Sequence, residues 1–172
     1  FRLVSPLQRS SLYVLSFRSC SNEISDVFTG YQTIVERDVE WGTMDAFQHV
    51  NNVQYIRWFE TVRVVHMTDM ALTAKKRDFL SASGVGPILK DVYCLFKGPV
   101  TYPDKISIGV KTTKVDENNY QEEYKILSHK TKRVVCEGTG TIVTLDYSTG
   151  KRAPIPSEIA EILKKDQEGI PW

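Results

Sequence analysis

No Cys-x-x-Cys pair occurs in this chain of 172 residues, and its cysteines number only three, Cys20, Cys94 and Cys136. An odd count without paired spacing argues against a disulfide framework or a zinc ribbon. Cys94 and Cys136 fall in strand-like runs and read as small buried apolar residues. Long hydrophobic runs are also missing. None approaches the roughly 18 residues that a membrane-spanning helix needs. Charge of one sign is lacking as well. The formal net charge is +1, so nothing global draws the chain to nucleic acid or to an anionic membrane. What remains is 41% hydrophobic and 25% charged, the proportions of a folded domain, at a length that suits one domain.

Acidic residues are absent from the first 22 positions, which hold Arg2, Arg9, Arg18 and six serines before the first acid, Glu23. Arg- and Ser-rich, acid-poor composition is that of an organelle transit peptide. Residues 1–30 are therefore set apart as an N-terminal extension, with a mitochondrion or another organelle as the expected destination and the cytoplasm otherwise.

Residues 33–41 alternate, placing Val35, Val39 and Trp41 on one face of a strand. Asn51 or Asn52 then offers an N-cap. From about 53 to 75 the apolar period becomes helical, with Tyr55, Phe59, Val62 and Val65 on one face. Val53, Ile56, Trp58, Val64 and Met67 add apolar surface elsewhere, so the helix is expected to be enclosed on most sides. Glu60 and Arg63 are spaced to pair on it. Four strand-like segments follow, joined by short turns. The last, about 133–145, carries Gly138 and Gly140 on one face, where a neighbouring element can approach closely. Residues 151–172 form a C-terminal unit with a short amphipathic helix, about 157–165, capped by Ser157. A strand, a long apolar helix and then four strands imply an α+β domain over 31–150. Its mostly antiparallel five-stranded sheet curves around the helix.

The chemistry concentrates in residues 44–55, Met-Asp-Ala-Phe-Gln-His-Val-Asn-Asn-Val-Gln-Tyr. Asp45 sits in a loop just before a helix whose first amides lack intrahelical partners and carry roughly half a positive charge. Such amides can polarise a carbonyl as an oxyanion hole does, and a carboxylate beside them can attack it or activate water. On spacing alone, an aspartate before a helix also fits simple capping.

The run 44–55, continued by Trp58-Phe59-Glu60 and Arg63, resembles the 4-hydroxybenzoyl-CoA thioesterase-like group of the hotdog superfamily, especially its bacterial long-chain acyl-CoA thioesterases. Pro99, Asp104, Gly138 and the exit 152–156 also fit, over about residues 32–158. The resemblance implies hydrolysis of acyl-CoA thioesters by a hotdog fold. Asp45 would be the catalytic carboxylate, the Asn52 amide the oxyanion donor and His49 a helper. Asn51, Tyr55 and Phe59 would lie against the substrate. It further implies a homodimer or homotetramer joined through sheet edges and no cofactor or metal. Thr43 stands where many relatives carry a second acid, so a proton shared between two carboxylates is not implied. Two rival readings remain at this level: a non-catalytic hotdog module that binds acyl chains or serves as a scaffold, and a hotdog hydratase or dehydratase.

Overall fold

The structure is a computed structural model that describes residues 26–81 and 83–172. The targeting reading of residues 1–22, like Cys20, lies outside them. Five strands make one sheet: β1 Thr33–Asp38, β2 Val85–Phe96, β3 Lys105–Val115, β4 Asn119–Ser128 and β5 Arg133–Asp146. Their spatial order is β1-β3-β4-β5-β2, and every pairing is antiparallel. A two-residue strand, β6 Lys151–Arg152, adds to the end of β5. The long helix α1, Asn52–Thr73, lies between β1 and β2 in the chain, and α2, Ser157–Gln167, closes it.

Helix α1 packs its buried side, Tyr55, Phe59 and Val62, into the sheet with Ile106, Ile108, Val110, Tyr124 and Cys136. Phe59 stacks on Tyr124 with ring centroids 4.6 Å apart. Full burial of one such ring is worth roughly 1.5–3 kcal/mol. Gly138 permits this approach: a Cβ there would stand 2.5 Å from the Phe59 ring and 2.5 Å from the Tyr93 carbonyl oxygen. The close approach expected at Gly138 is therefore made by the helix. At Gly140 the neighbour is instead the Tyr124 side chain on the adjoining strand. A second core joins the far half of α1 to α2 through Met70, Ile142, Ile159 and Leu163. The outer face of β3 is covered as well, with Phe28 and Tyr31 packed over Gly109.

Four expectations are corrected. The first strand stops at Asp38, because residues 41–43 turn into a 3₁₀ helix closed by Met44 N–H on the Trp41 carbonyl. Trp41 thereby swings out and is 71% exposed. Helix α1 is not enclosed on most sides. Val53, Ile56, Val64 and Leu72 stay exposed, because one sheet covers one face of a helix and nothing among the described residues covers the other. Glu60 does not pair with Arg63. Arg63 points inward, is buried and donates to the Tyr124 hydroxyl at 3.3 Å, while Glu60 stays in solvent. Finally, Ser157 is inside α2 rather than capping it. The cap position is Pro156, and the Ser157 hydroxyl donates to Glu158.

Inward-facing polar residues form a network behind the helix. The His66 ring contacts Thr33 Oγ1 through Nδ1 at 2.8 Å and Asp166 Oδ2 through Nε2 at 3.3 Å. Asp166 also accepts from the Thr112 amide at 2.6 Å and from the Trp172 indole at 3.3 Å. Burial by itself would raise the Asp166 carboxyl, but the His66 ring and the Thr112 amide hold it below the usual carboxylate value. Glu122 lies close by, hydrogen-bonded by Tyr124.

Candidate active site

Residues 44–50 form a closed loop at the head of α1. Met44 and Val50 make an isolated antiparallel bridge. Within it, Asp45 N–H donates to the His49 carbonyl at 2.9 Å, and Gln48 N–H donates to the Asp45 carbonyl at 3.0 Å. Gln48 takes a left-handed φ of 63° to close the turn. Asp45 Oδ1 accepts from Phe47 N–H at 2.8 Å. That bond fixes the carboxylate's orientation and leaves Oδ2 with no hydrogen bond among the described residues. A half-buried carboxylate held by one oxygen and free at the other has the arrangement that a base or nucleophile requires.

The helix start is equally specific. Asn51 is the N-cap, and its side chain accepts from Val53 N–H at 3.0 Å, while its own N–H donates to the Thr43 carbonyl at 2.9 Å. The Gln54 amide is bound by the Asn51 carbonyl. Among the first amides of α1, that of Asn52 makes no hydrogen bond within the described residues. An unpaired donor at the positive end of a 22-residue helix suits an anion or a developing oxyanion.

A cavity of about 620 Å³ opens at this point. Asp45, His49 and Asn52 line it from the loop and the helix, Tyr55 from the next turn, and Phe96 to Pro99 from the end of β2 and beyond. Tyr55 is its apolar wall. The ring meets Trp58 and Phe96 edge-on, with centroids 5.2 and 5.1 Å away, and its hydroxyl accepts from Val100 N–H at 3.2 Å. Burial pushes that phenol up to about 12. The opposite wall is tied down too: the Lys97 and Gly98 amides both donate to the Val135 carbonyl. At the rim, Lys97 pairs with Glu137 at 3.0 Å.

Of the residues singled out in the sequence, Asp45, His49, Asn52 and Tyr55 therefore meet at one cavity. Asn51 caps the helix beside it. Phe59 is fully buried one turn deeper, against Tyr124, and does not line the cavity. Phe96, Gly98 and Val50 were not picked out in the sequence as lining a site. Phe96 and Gly98 come from a strand end and a loop that only the sheet order brings to the helix, whereas Val50 closes the loop just before the N-cap. The Gly98-Pro99 break marked that loop without saying where it would dock. Among the described residues no cluster of His, Cys, Asp or Glu is arranged to hold a metal ion, and no helix is long and apolar enough to cross a membrane.

Residues 39–163 match the family model of the thioesterase-like superfamily, and the chain belongs to that superfamily. Its antiparallel sheet packed on one long helix is the hotdog fold. Among similar solved structures is a thioesterase-superfamily protein from Jannaschia sp. CCS1, 18% identical, with a TM-score of 0.70 over 80% of this chain and 84% of that one. Another is a thioesterase from Thermus thermophilus solved with coenzyme A and zinc, 21% identical, with a TM-score of 0.66 over 78% and 98%. The DHNA-CoA thioesterase of Staphylococcus aureus is 16% identical, with a TM-score of 0.65 over 80% and 94%. No curated protein matches the chain.

Proposed function

We propose that this protein hydrolyses acyl-CoA thioesters to the free acid and CoA. The observation that carries the reading is the shared cavity of Asp45 and Asn52 at the head of α1, one with an unpaired carboxylate oxygen and the other with an unpaired amide. The thioester carbonyl oxygen would lie against the Asn52 N–H, where the helix end stabilises the charge that develops on it. Asp45 Oδ2 would take a proton from a water that attacks the carbonyl carbon, or would attack that carbon itself to give an acyl-Asp45 anhydride that water then hydrolyses; in either case the CoA thiolate leaves. His49, on the same rim, would help place the water or the leaving sulfur. Tyr55 and Phe96 would bear on the acyl group. Superfamily membership supports thioester hydrolysis in general. Coenzyme A bound to the Thermus thermophilus relative supports CoA as the carrier.

The working form is read as a homodimer or a larger homo-oligomer. Strand β2 ends the sheet order, and Tyr93, Leu95 and Phe96 near its end are exposed. An exposed apolar edge is a pairing surface. With Val53 and Ile56 exposed nearby on α1, it borders the cavity.

The test is a thiol-release assay over aliphatic and aromatic acyl-CoAs, run beside enoyl-CoA absorbance. Release of free CoA from at least one class, with enoyl absorbance unchanged, supports the hydrolase. No thiol release from any substrate would leave a non-catalytic binding module, and a change in enoyl absorbance would mark a hydratase.

A further inference from the structure

Two thiols meet behind the cavity wall. Cys94 Sγ on β2 and Cys136 Sγ on β5 are 3.3 Å apart. In the strand register Cys94 faces Gly138 and Cys136 faces Phe96, so the cysteines are diagonal neighbours on one face of the sheet. Opposite Cys94 the glycine has no side chain to separate the sulfurs. Cys136 is fully buried, and Cys94 is partly exposed. Both pack against the cluster that holds Tyr55.

We propose that Cys94 and Cys136 are an oxidation site: a peroxide converts the pair to a disulfide that pulls on the β2 wall of the cavity, and a thiol reductant reverses it. The step balances. Cys94 sulfur attacks one peroxide oxygen, giving a sulfenic acid and, with the thiol's proton, one water. Cys136 sulfur then attacks the sulfenic sulfur and expels its oxygen as a second water. Two thiols and one hydrogen peroxide yield one disulfide and two waters. Cys94 is the attacking partner because it is the more exposed of the two. Burial raises both thiols above their usual value, while the contact between them lowers Cys94 and raises Cys136.

Geometry makes the bond consequential. A disulfide needs a sulfur separation of about 2.05 Å, so the sulfurs must close in from 3.3 Å. Diagonal strand positions are wider than directly opposite ones, and part of that closure must come from the backbones. The segment that would take it up is next door. Phe96 faces Cys136 across the strands, and Lys97 and Gly98 hang on the carbonyl of Val135.

The proposal does not depend on hydrolysis, and neither does its test. The full chain carrying Cys20→Ser is treated with hydrogen peroxide, and its unreduced peptides are mapped by mass spectrometry. A peptide joining Cys94 to Cys136, lost on reduction, is expected. In addition, Cys136→Ser should leave a sulfenic acid at Cys94 that a dimedone probe captures. Amide exchange at Lys97 and Gly98 should change on oxidation and return on reduction. Recovery of both thiols free, or of Cys94 overoxidised without a linked peptide, would overturn the site. A linked peptide with unchanged exchange at Lys97 and Gly98 would overturn its coupling to the cavity wall. These readouts on the unsubstituted pair stand even where Cys136→Ser does not fold.

Discussion

Asn52 offers a test of the oxyanion assignment through loss of its backbone N–H, with the side-chain amide removed at the same time. It is the first residue of α1, and Asn51 before it has φ −59° and ψ 140°, values that a following proline accepts. Proline is tolerated at the first helical position, where its missing N–H costs no helix bond. Asn52→Pro should therefore fold with a near-normal melting temperature yet lose turnover by about 10²–10³-fold, the range for one oxyanion donor. Steady-state kinetics beside circular dichroism check this, and full activity in the proline variant would assign the oxyanion elsewhere. Tyr55 makes a contrasting case. Tyr55→Phe keeps the ring but strips the Val100 amide of its acceptor. The expected loss is about 1–3 kcal/mol of stability, read by urea denaturation. At this scale the sequence was most informative about residues fixed by local chain geometry. Asp45, His49 and Asn52 lie within eight positions, and the turn and helix start between them are set by nearest neighbours. Phe96 and Gly98 reach the cavity through strand order, which no local pattern contains.

At the scale of elements, the union of helix and sheet rests on Gly138. Gly138→Ala would press a methyl into the Phe59 ring and the Tyr93 carbonyl. The carbonyl is backbone and cannot turn away. Overpacking of this kind costs typically 1–3 kcal/mol, and differential scanning calorimetry should register it. The same substitution at Gly150, where nothing lies within 4 Å but φ is +68°, should act through backbone strain alone. Helix α2 is held by a charge. Asp166 has a depressed carboxyl in the folded chain, so its contribution is present above the unfolded value of about 3.9 and is lost as the pH falls through the folded value. Asp166→Asn should lower stability at neutral pH by about 1.5–3 kcal/mol, the range for hydrogen bonds to a charged group. It should also flatten the acid limb of a stability–pH profile. An unchanged acid limb would show that Asp166 is not the titrating clamp. The order and type of these elements were legible from period and turn residues. The exposed side of α1 was not, because an apolar residue signals that something covers it without saying whether the cover is the same chain. Arg63 departs in the opposite sense: spacing pairs it with Glu60 on the helix surface, yet it turns inward to Tyr124, beside the buried contacts of His66 with Thr33 and Asp166.

For the whole molecule, the surface left apolar is continuous with the site. Exposed Val53 and Ile56 on α1 and Tyr93, Leu95 and Phe96 on β2 are what a second copy would cover if sheets join through the β2 edge. Sedimentation equilibrium should find a dimer or a multiple of it. Tyr93→Lys, which places a charge on that edge, should shift the protein toward monomer and reduce kcat/KM. A monomer of full activity would separate the catalytic unit from the assembly. Beneath these expectations lies one claim, that the free carboxylate oxygen of Asp45 does the chemistry on a thioester held at the helix head. The most direct measurement is the kcat of Asp45→Asn against the parent protein with the best acyl-CoA, with thermal unfolding recorded for both. The account predicts a fall of about 10²-fold or more with unfolding little changed. Equal turnover by the two proteins would contradict it.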